Sequence, residues 1–222
     1  MKTRRLGKTN LQVSEIGFGG EWLERHPEEE SIELIRYASS KGINILDCWM
    51  ADPKSRDIIG KGIKENRSQW FIQGHIGSTW KDNQYFRTRD MKYVRPAFED
   101  LLKRLQTDYI DLGMIHYIDS EEEWEQIQHS DYMDYVMELK NTGVIRHIGM
   151  SSHNPKVAVK AAESGFVEMI LFSINRHLTC FLQAKILILC LQMNLTKISK
   201  ESTRTAHVYT KSVSRTMSES LL

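Results

Sequence analysis

Gly42-Ile43-Asn44-Ile45-Leu46-Asp47 is the stretch of sequence that decides the fold. A short apolar run ends there on a carboxylate, and a helical run over residues 55–64 follows after a short loop. In parallel α/β architectures the carboxyl ends of the strands and the loops after them carry the chemistry. Asp47 is therefore predicted to lie in a functional site. The same unit, an apolar strand that ends on polar side chains, recurs at residues 70–75, 109–116 and 145–152.

Strands and helices alternate along residues 1–175 at intervals of roughly 25 to 35 residues, which indicates βαβ units and a parallel sheet. We count six such units, preceded by two short strands that predict an N-terminal β-hairpin. Residues 77–90 are predicted to form a long polar loop, and a single helix is predicted from the acidic residues 121–123 to Gly143. A (β/α)₈ barrel and a doubly wound sheet both fit this alternation. Gly17-Phe18-Gly19-Gly20 lacks the third glycine of the phosphate-binding fingerprint that a doubly wound fold would favour.

Composition excludes several classes of protein. The chain has 222 residues with a net charge of +1, which argues against a nucleic-acid or membrane surface as partner. The three cysteines have no metal-ligand spacing, so we predict no metal and a reducing, cytoplasmic location. There is neither an apolar signal region nor a run long enough to span a bilayer, which predicts a soluble protein.

Residues 176–222 have a different composition from the rest of the chain. All 13 glycines, all four prolines and all five tryptophans precede residue 176. The turns of a βα domain require glycine, proline, asparagine and aspartate, so this basic tail does not continue the domain. Two interpretations stay open: a partly disordered C-terminal extension, or the product of a shifted reading frame. The nucleotide sequence around codon 176 distinguishes them.

Four motifs in residues 1–175 resemble the aldo-keto reductase family, in the same order and with the same spacing. This resemblance implies a (β/α)₈ barrel that uses NADP(H), without a metal, to reduce a small-molecule carbonyl or to oxidise an alcohol. With six units in the chain, we predict an incomplete barrel. The motifs are Arg5-Leu6-Gly7-Lys8-Thr9, Gly42-Ile43-Asn44 with Asp47, Arg104-Leu105-Gln106-Thr107-Asp108-Tyr109-Ile110-Asp111-Leu112 with Ile115-His116, and Gly143-Val144-Ile145-Arg146 with Gly149 and Ser151.

The resemblance implies four catalytic positions on different strand ends, occupied in the family by Asp, Tyr, Lys and His. Asp47 and His116 match, whereas Asp52 stands at the tyrosine position and His75 at the lysine position. Asp47, His75 and His116 are interpreted either as a group in which an imidazolium replaces the tyrosine as proton donor, or as a satisfied ion pair in an inactive pocket. Asp52, followed by Pro53, is either a catalytic acid or only part of a turn.

The family holds the nicotinamide carboxamide with a Ser-Asn pair, which corresponds here to Ser151 and Ser152. Gly19 and Gly20 are further candidates, since glycine lets the backbone approach a ligand closely. The family's phosphate-binding loops follow strands seven and eight, which have no counterpart here, so weak NADP(H) binding is expected. Four aromatic side chains beyond strand ends either line a substrate pocket or pack the barrel mouth: Trp22, Trp49, Trp80 and Tyr117.

Two hypotheses of function follow. The first is an aldo-keto-reductase-like oxidoreductase that is truncated after its sixth βα unit. The alternative is a non-catalytic barrel fragment or pseudoenzyme that binds a ligand or a partner. In both cases the first and sixth strands would have open edges, which predicts self-association.

Overall fold

The computed structural model describes residues 1–173 of the chain. Six parallel strands form the central sheet, which curls into a half-barrel with helices around it. The strands, in chain order, are β1 (Thr3–Arg5), β2 (Gln12–Ser14), β3 (Phe18–Gly19), β4 (Ile45–Cys48), β5 (Phe71–Ile76), β6 (Ser78–Lys81), β7 (Gln84–Arg87), β8 (Ile110–Ile115), β9 (Ile145–Ser152) and β10 (Met169–Phe172). The helices are α1 (Glu28–Ser40), α2 (Pro53–Ile63), α3 (Met91–Leu105), α4 (Glu121–Ile127), α5 (Asp131–Asn141) and α6 (Pro155–Glu163).

The order of the central sheet is β3-β4-β5-β8-β9-β10, and every neighbouring pair is parallel. Each βα unit thus adds its strand next to the previous one. A doubly wound sheet has a point at which this order reverses, and no reversal occurs within residues 1–173. The predicted partial barrel of six units is therefore confirmed.

The predicted N-terminal hairpin is also confirmed. β1 and β2 pair antiparallel, and Asn44, just before β4, fixes the hairpin to the sheet. Its Oδ1 accepts a hydrogen bond from the Ser14 backbone N–H at 2.7 Å, and its Nδ2 donates to the Gln12 carbonyl at 3.0 Å. Apolar side chains from the hairpin and from alternate positions of the strands pack together inside the half-barrel: Val13, Ile45, Leu112, Met114 and Met169, with Leu6 and Leu11 beside them.

The alternation of side chains along a strand determines which residues face the same interior. Ile45 and Asp47 are two residues apart on β4, and Met114 and His116 stand in the same relation at the end of β8. Since Ile45 and Met114 belong to the inner apolar cluster, this periodicity directs Asp47 and His116 to the interior at the carboxyl edge of the sheet.

Two predictions of local structure are wrong. Residues 77–90 contain a β-hairpin, because β6 and β7 pair antiparallel around Asp82 and Asn83. Both turn residues have positive φ, 50° and 60°, as two-residue hairpin turns with right-handed strand twist require. The predicted single helix up to Gly143 is two helices, since the hydroxyl of Ser130 accepts the Met133 backbone N–H and begins α5.

The predicted division of the chain at residue 175, with both interpretations of the tail, lies outside the described residues. Within residues 1–173, no helix combines the length and the apolar character needed to cross a membrane.

Candidate active site

Asp47, His75 and His116 form a chain of hydrogen bonds at the carboxyl edge of the sheet. Asp47 Oδ1 lies 2.9 Å from His75 Nε2, and His75 Nδ1 lies 2.8 Å from His116 Nδ1. The three side chains come from β4, from β5 and from the residue after β8, which are neighbours in the sheet. Three of the four predicted catalytic residues therefore meet.

The chemistry of the donors assigns the ring protons. A carboxylate can only accept hydrogen bonds, so His75 Nε2 carries a proton when Asp47 is ionised. In a neutral His75 ring Nδ1 then accepts, and His116 Nδ1 must donate to it. This arrangement leaves His116 Nε2 without a proton, as an acceptor.

Tyr85 is hydrogen-bonded to this His116 Nε2 atom. Its hydroxyl oxygen lies 2.6 Å from His116 Nε2, so the O–H donates to the ring in the tautomer assigned above. Tyr85 belongs to β7, and its ring packs edge-on against Trp49 with 5.3 Å between the ring centroids. Sequence reasoning missed Tyr85, because its approach depends on the β6–β7 hairpin. The Asp82-Asn83 pair was the signal that could have predicted that hairpin.

The surroundings of His116 favour its neutral form. Burial lowers the pKa of His116 far below its ordinary value, and the nearby His75, Arg89 and Arg87 lower that pKa further. Trp49 stacks on the imidazole with 6.0 Å between centroids and 10° between the planes. Burial also raises the pKa of Tyr85 to about 12, so its phenol stays protonated at neutral pH.

A cavity of about 470 Å³ opens beside these groups. Trp49 and Tyr117 line it, as the pocket interpretation of these aromatic residues predicts. Trp80 instead lines a second cavity of about 330 Å³, and Trp22 is 45% exposed. The full set of residues around the first cavity is Glu21, Asp47, Trp49, His75, Tyr85, His116, Tyr117, Ser151, Ser152, His153, Leu171, Phe172 and Ser173.

Asp52 lies at the start of α2 and does not line this cavity. Its Oδ1 accepts the backbone N–H of Ser55 at 2.8 Å, and Pro53 follows as the first helical residue. An aspartate N-cap followed by proline is a favourable beginning for a helix. Asp52 is thus the N-cap of α2, which is similar to the turn position that the sequence suggests. Its catalytic role stays a prediction.

The four predicted cofactor-binding residues differ in their contacts. Ser151 and Ser152 line the cavity, but the hydroxyl of Ser152 donates to the Ile118 carbonyl at 2.7 Å. Gly20 donates its N–H to the Asp47 carbonyl at 2.9 Å, and a Cβ on Gly20 would lie 2.7 Å from that oxygen. At Gly19 a Cβ would meet no atom within 4 Å. Of these four residues, the two serines thus line the cavity, whereas Gly19 is exposed and is not among the residues around it.

Comparison with known proteins agrees with this geometry. The model of the aldo/keto reductase family matches residues 15–203. The aldo-keto reductase YhdN of Bacillus subtilis is 35% identical over 161 residues, which cover 68% of this chain and 47% of YhdN. The uncharacterized oxidoreductase YqkF of the same organism is 30% identical over 161 residues, covering 71% of this chain and 51% of YqkF. The chain therefore spans about half the length of these curated relatives.

A solved structure has the same fold. The holo form of the aldo-keto reductase AKR11C1 from Bacillus halodurans superimposes with a TM-score of 0.68 at 30% identity, covering 78% of this chain and 58% of AKR11C1. The family match includes the strand ends that carry Asp47, His75 and His116. With its half-barrel of consecutive parallel strands and its match over most of the sequence, this chain belongs to the aldo/keto reductase family.

Proposed function

We propose that this chain is an NADP(H)-dependent oxidoreductase that reduces a small-molecule carbonyl or oxidises the corresponding alcohol. The observation that carries the proposal is the continuous hydrogen-bonded chain from Asp47 through His75 to His116, on the wall of the 470 Å³ cavity. Strand ends of a barrel are where this fold places its catalytic groups. Membership of the family supports the reaction type, and the residues of the site are part of the proposal.

Asp47 and the two imidazoles would handle the proton of the reaction. Burial and neighbouring cations disfavour a positive charge on His116, whereas His75 Nε2 lies 2.9 Å from the Asp47 carboxylate, so the proposed imidazolium is His75. His75 Nδ1–H then faces His116 Nδ1, and the proton can pass along the group toward the cavity. An imidazolium would thus be the source of the proton that the family's tyrosine gives to the substrate.

The cofactor would be held at its nicotinamide end by Ser151, which lines the cavity, and by the backbone around Gly19, where a Cβ would meet no atom within 4 Å. When bound, the reduced nicotinamide would supply the hydride. In the family the cofactor phosphates are bound by loops after strands seven and eight, for which the sequence has no recognisable counterpart. The weak binding that the resemblance implies is therefore part of the proposal, and a titration measures it.

A second candidate function is a pseudoenzyme that binds a ligand or partner without reduction. The observation in its favour is the cap position of Asp52, which leaves the family's tyrosine position without an acid in the cavity. In this interpretation Asp47 and His75 only satisfy each other as an ion pair.

Turnover with a panel of small aldehydes and ketones tests the proposal. The purified chain is expected to oxidise NADPH in the presence of at least one of them, and His75→Ala is expected to lose most of this activity. His129→Ala is the matched control, because His129 is exposed and lies outside the cavity lining. Equal turnover of His75→Ala and the wild type would contradict the role of the imidazole group, and no turnover with any carbonyl would favour the pseudoenzyme.

A further inference from the structure

We propose that Tyr85 is the residue that exchanges a proton with the substrate oxygen, as the last member of a relay formed by Asp47, His75, His116 and Tyr85. This inference rests on the proposed function. Three hydrogen bonds of 2.9, 2.8 and 2.6 Å connect the four groups without a gap. A tyrosine from the hairpin would thus supply the phenol that the tyrosine position of the family motif, occupied by Asp52, lacks.

Accessibility favours Tyr85 over His116 as the group that touches substrate. His116 is only 3% exposed, Trp49 covers one face of its ring, and the Tyr85 hydroxyl occupies its Nε2 atom. Tyr85 is partly exposed and lines the cavity. A carbonyl oxygen in the cavity can therefore reach the Tyr85 hydroxyl more directly than either imidazole.

The hairpin holds the Tyr85 hydroxyl in place. The Ser78 hydroxyl donates to the Trp49 carbonyl at 2.5 Å, which fastens β6 to the end of β4. Opposite Ser78 in the hairpin register, Arg87 of β7 binds Glu123 of α4 at 2.6 Å. Arg87 is two residues from Tyr85 on β7, and Ser78 fixes the paired strand β6, so the phenol is positioned by fixed elements.

The proton balance of a reduction is complete along these atoms. The substrate carbon accepts a hydride, and its oxygen takes the proton of the Tyr85 O–H. While His75 is an imidazolium, its Nδ1–H donates to His116 Nδ1, so the neutral His116 carries its proton on Nε2 and donates it to the Tyr85 oxygen. Tyr85 then receives this Nε2 proton, and His116 Nδ1 receives the Nδ1 proton of His75, which restores the tautomers assigned above for a neutral His75. His75 starts as an imidazolium and ends neutral, with its Nε2–H still on the Asp47 carboxylate. In the direction of oxidation the same protons move in reverse, and His75 gains the charge.

The weak acidity of the Tyr85 phenol favours a transfer in which His116 returns a proton to Tyr85 as Tyr85 donates its own. Since burial raises the pKa of Tyr85 to about 12, a free phenolate would be costly at neutral pH. Donation to the substrate oxygen is still favourable, because an alkoxide is a stronger base than a phenolate. Delivery of a proton from His116 as the phenol gives up its own avoids the costly intermediate.

Tyr85→Phe tests the relay, since it removes the hydroxyl and keeps the ring against Trp49. We expect kcat to fall by roughly 10²- to 10⁴-fold, the usual contribution of a general acid, with unchanged affinity for NADPH by nicotinamide fluorescence. Tyr93→Phe is the matched control, because Tyr93 packs on the adjacent β7 residue Phe86 and lines the other cavity. Its turnover is expected to equal that of the wild type.

Nitrogen-15 spectra of the histidine rings test the hydrogen bond without turnover. Tyr85→Phe is expected to shift the His116 Nε2 signal, whereas Tyr93→Phe is expected to leave it in place. If the His116 Nε2 signal is unchanged in Tyr85→Phe, the relay is overturned. The relay is also overturned if the wild type is active and Tyr85→Phe is equally active. Neither result affects the proposed function. A wild type without turnover overturns the proposed function as well, so the two failures are distinguishable.

Discussion

At the scale of single residues, the neutral state of His116 links the site to the stability of the fold. In the folded protein its pKa is lowered by burial first and by neighbouring charges second, whereas in the unfolded chain it returns to about 6.5. Above that pH both states hold a neutral ring, and His116 adds no pH dependence. Below it only the unfolded chain takes up the proton, so stability decreases as the pH falls.

We therefore predict that His116→Gln flattens the pH dependence of stability below about pH 6.5. The wild type is expected to lose up to about 1.4 kcal/mol of unfolding free energy per pH unit from this residue, and the variant none of it. Urea unfolding of both proteins between neutral and mildly acidic pH measures the difference. His129→Gln, at an exposed position, is the control. Parallel pH curves for His116→Gln and the wild type would contradict the prediction.

The sequence was sufficient to predict some contacts of the site, but not all of them. Asp47, His75 and His116 could be predicted because each follows an apolar run, and parallel strands bring their carboxyl ends to one edge. Tyr85 could not be found this way, since its contact with His116 arises from a hairpin folded over the edge of the sheet. The polar, short strands of that hairpin have no apolar periodicity that would distinguish them from a loop.

At the scale of elements, Asp52, at the family's tyrosine position, has a structural role as the N-cap of α2. Its carboxylate accepts a backbone N–H in the first turn of α2, a contact that depends only on the residues next to it. The four N-terminal N–H groups of a helix need such partners. The Asp-Pro pair is compatible with a turn, and in the structure this turn is the beginning of the helix that starts at Pro53.

We predict that Asp52→Ala lowers the free energy of unfolding by about 1 kcal/mol, the usual cost of losing an N-cap. Asp52→Ser is expected to retain most of the stability, because a serine hydroxyl caps about as well. Chemical denaturation of the three proteins gives the comparison. A strong loss of turnover in a stable Asp52→Ser protein would instead support Asp52 as the acid at the family's tyrosine position.

At the scale of the whole molecule, the consecutive strand order leaves β3 and β10 at the two edges of the sheet within residues 1–173. Order and parallel direction were predictable, because six apolar strands alternate with helices and the family motifs recur with regular spacing. The break between α4 and α5 was not predictable from the helical periodicity alone. Ser130 ends one apolar stripe and caps the next helix, and serine caps of this kind are also common in loops.

We predict that the purified chain self-associates, since an unpaired strand edge offers backbone donors and acceptors to another chain. Light scattering over a range of protein concentrations is expected to show a mass that rises above that of the monomer, 25.9 kDa. A monomer at all concentrations would contradict this prediction without affecting the proposed chemistry.

The proposed function requires that the edge of this half-barrel bind NADP(H). Titration of NADPH into the purified chain, followed by nicotinamide fluorescence, measures this binding. We predict a saturable signal that weakens in Ser151→Leu, where a bulky side chain would fill the space beside the strand ends, and that is retained in Tyr93→Phe. A wild-type titration without saturation, or one that Ser151→Leu leaves unchanged, would contradict the claim.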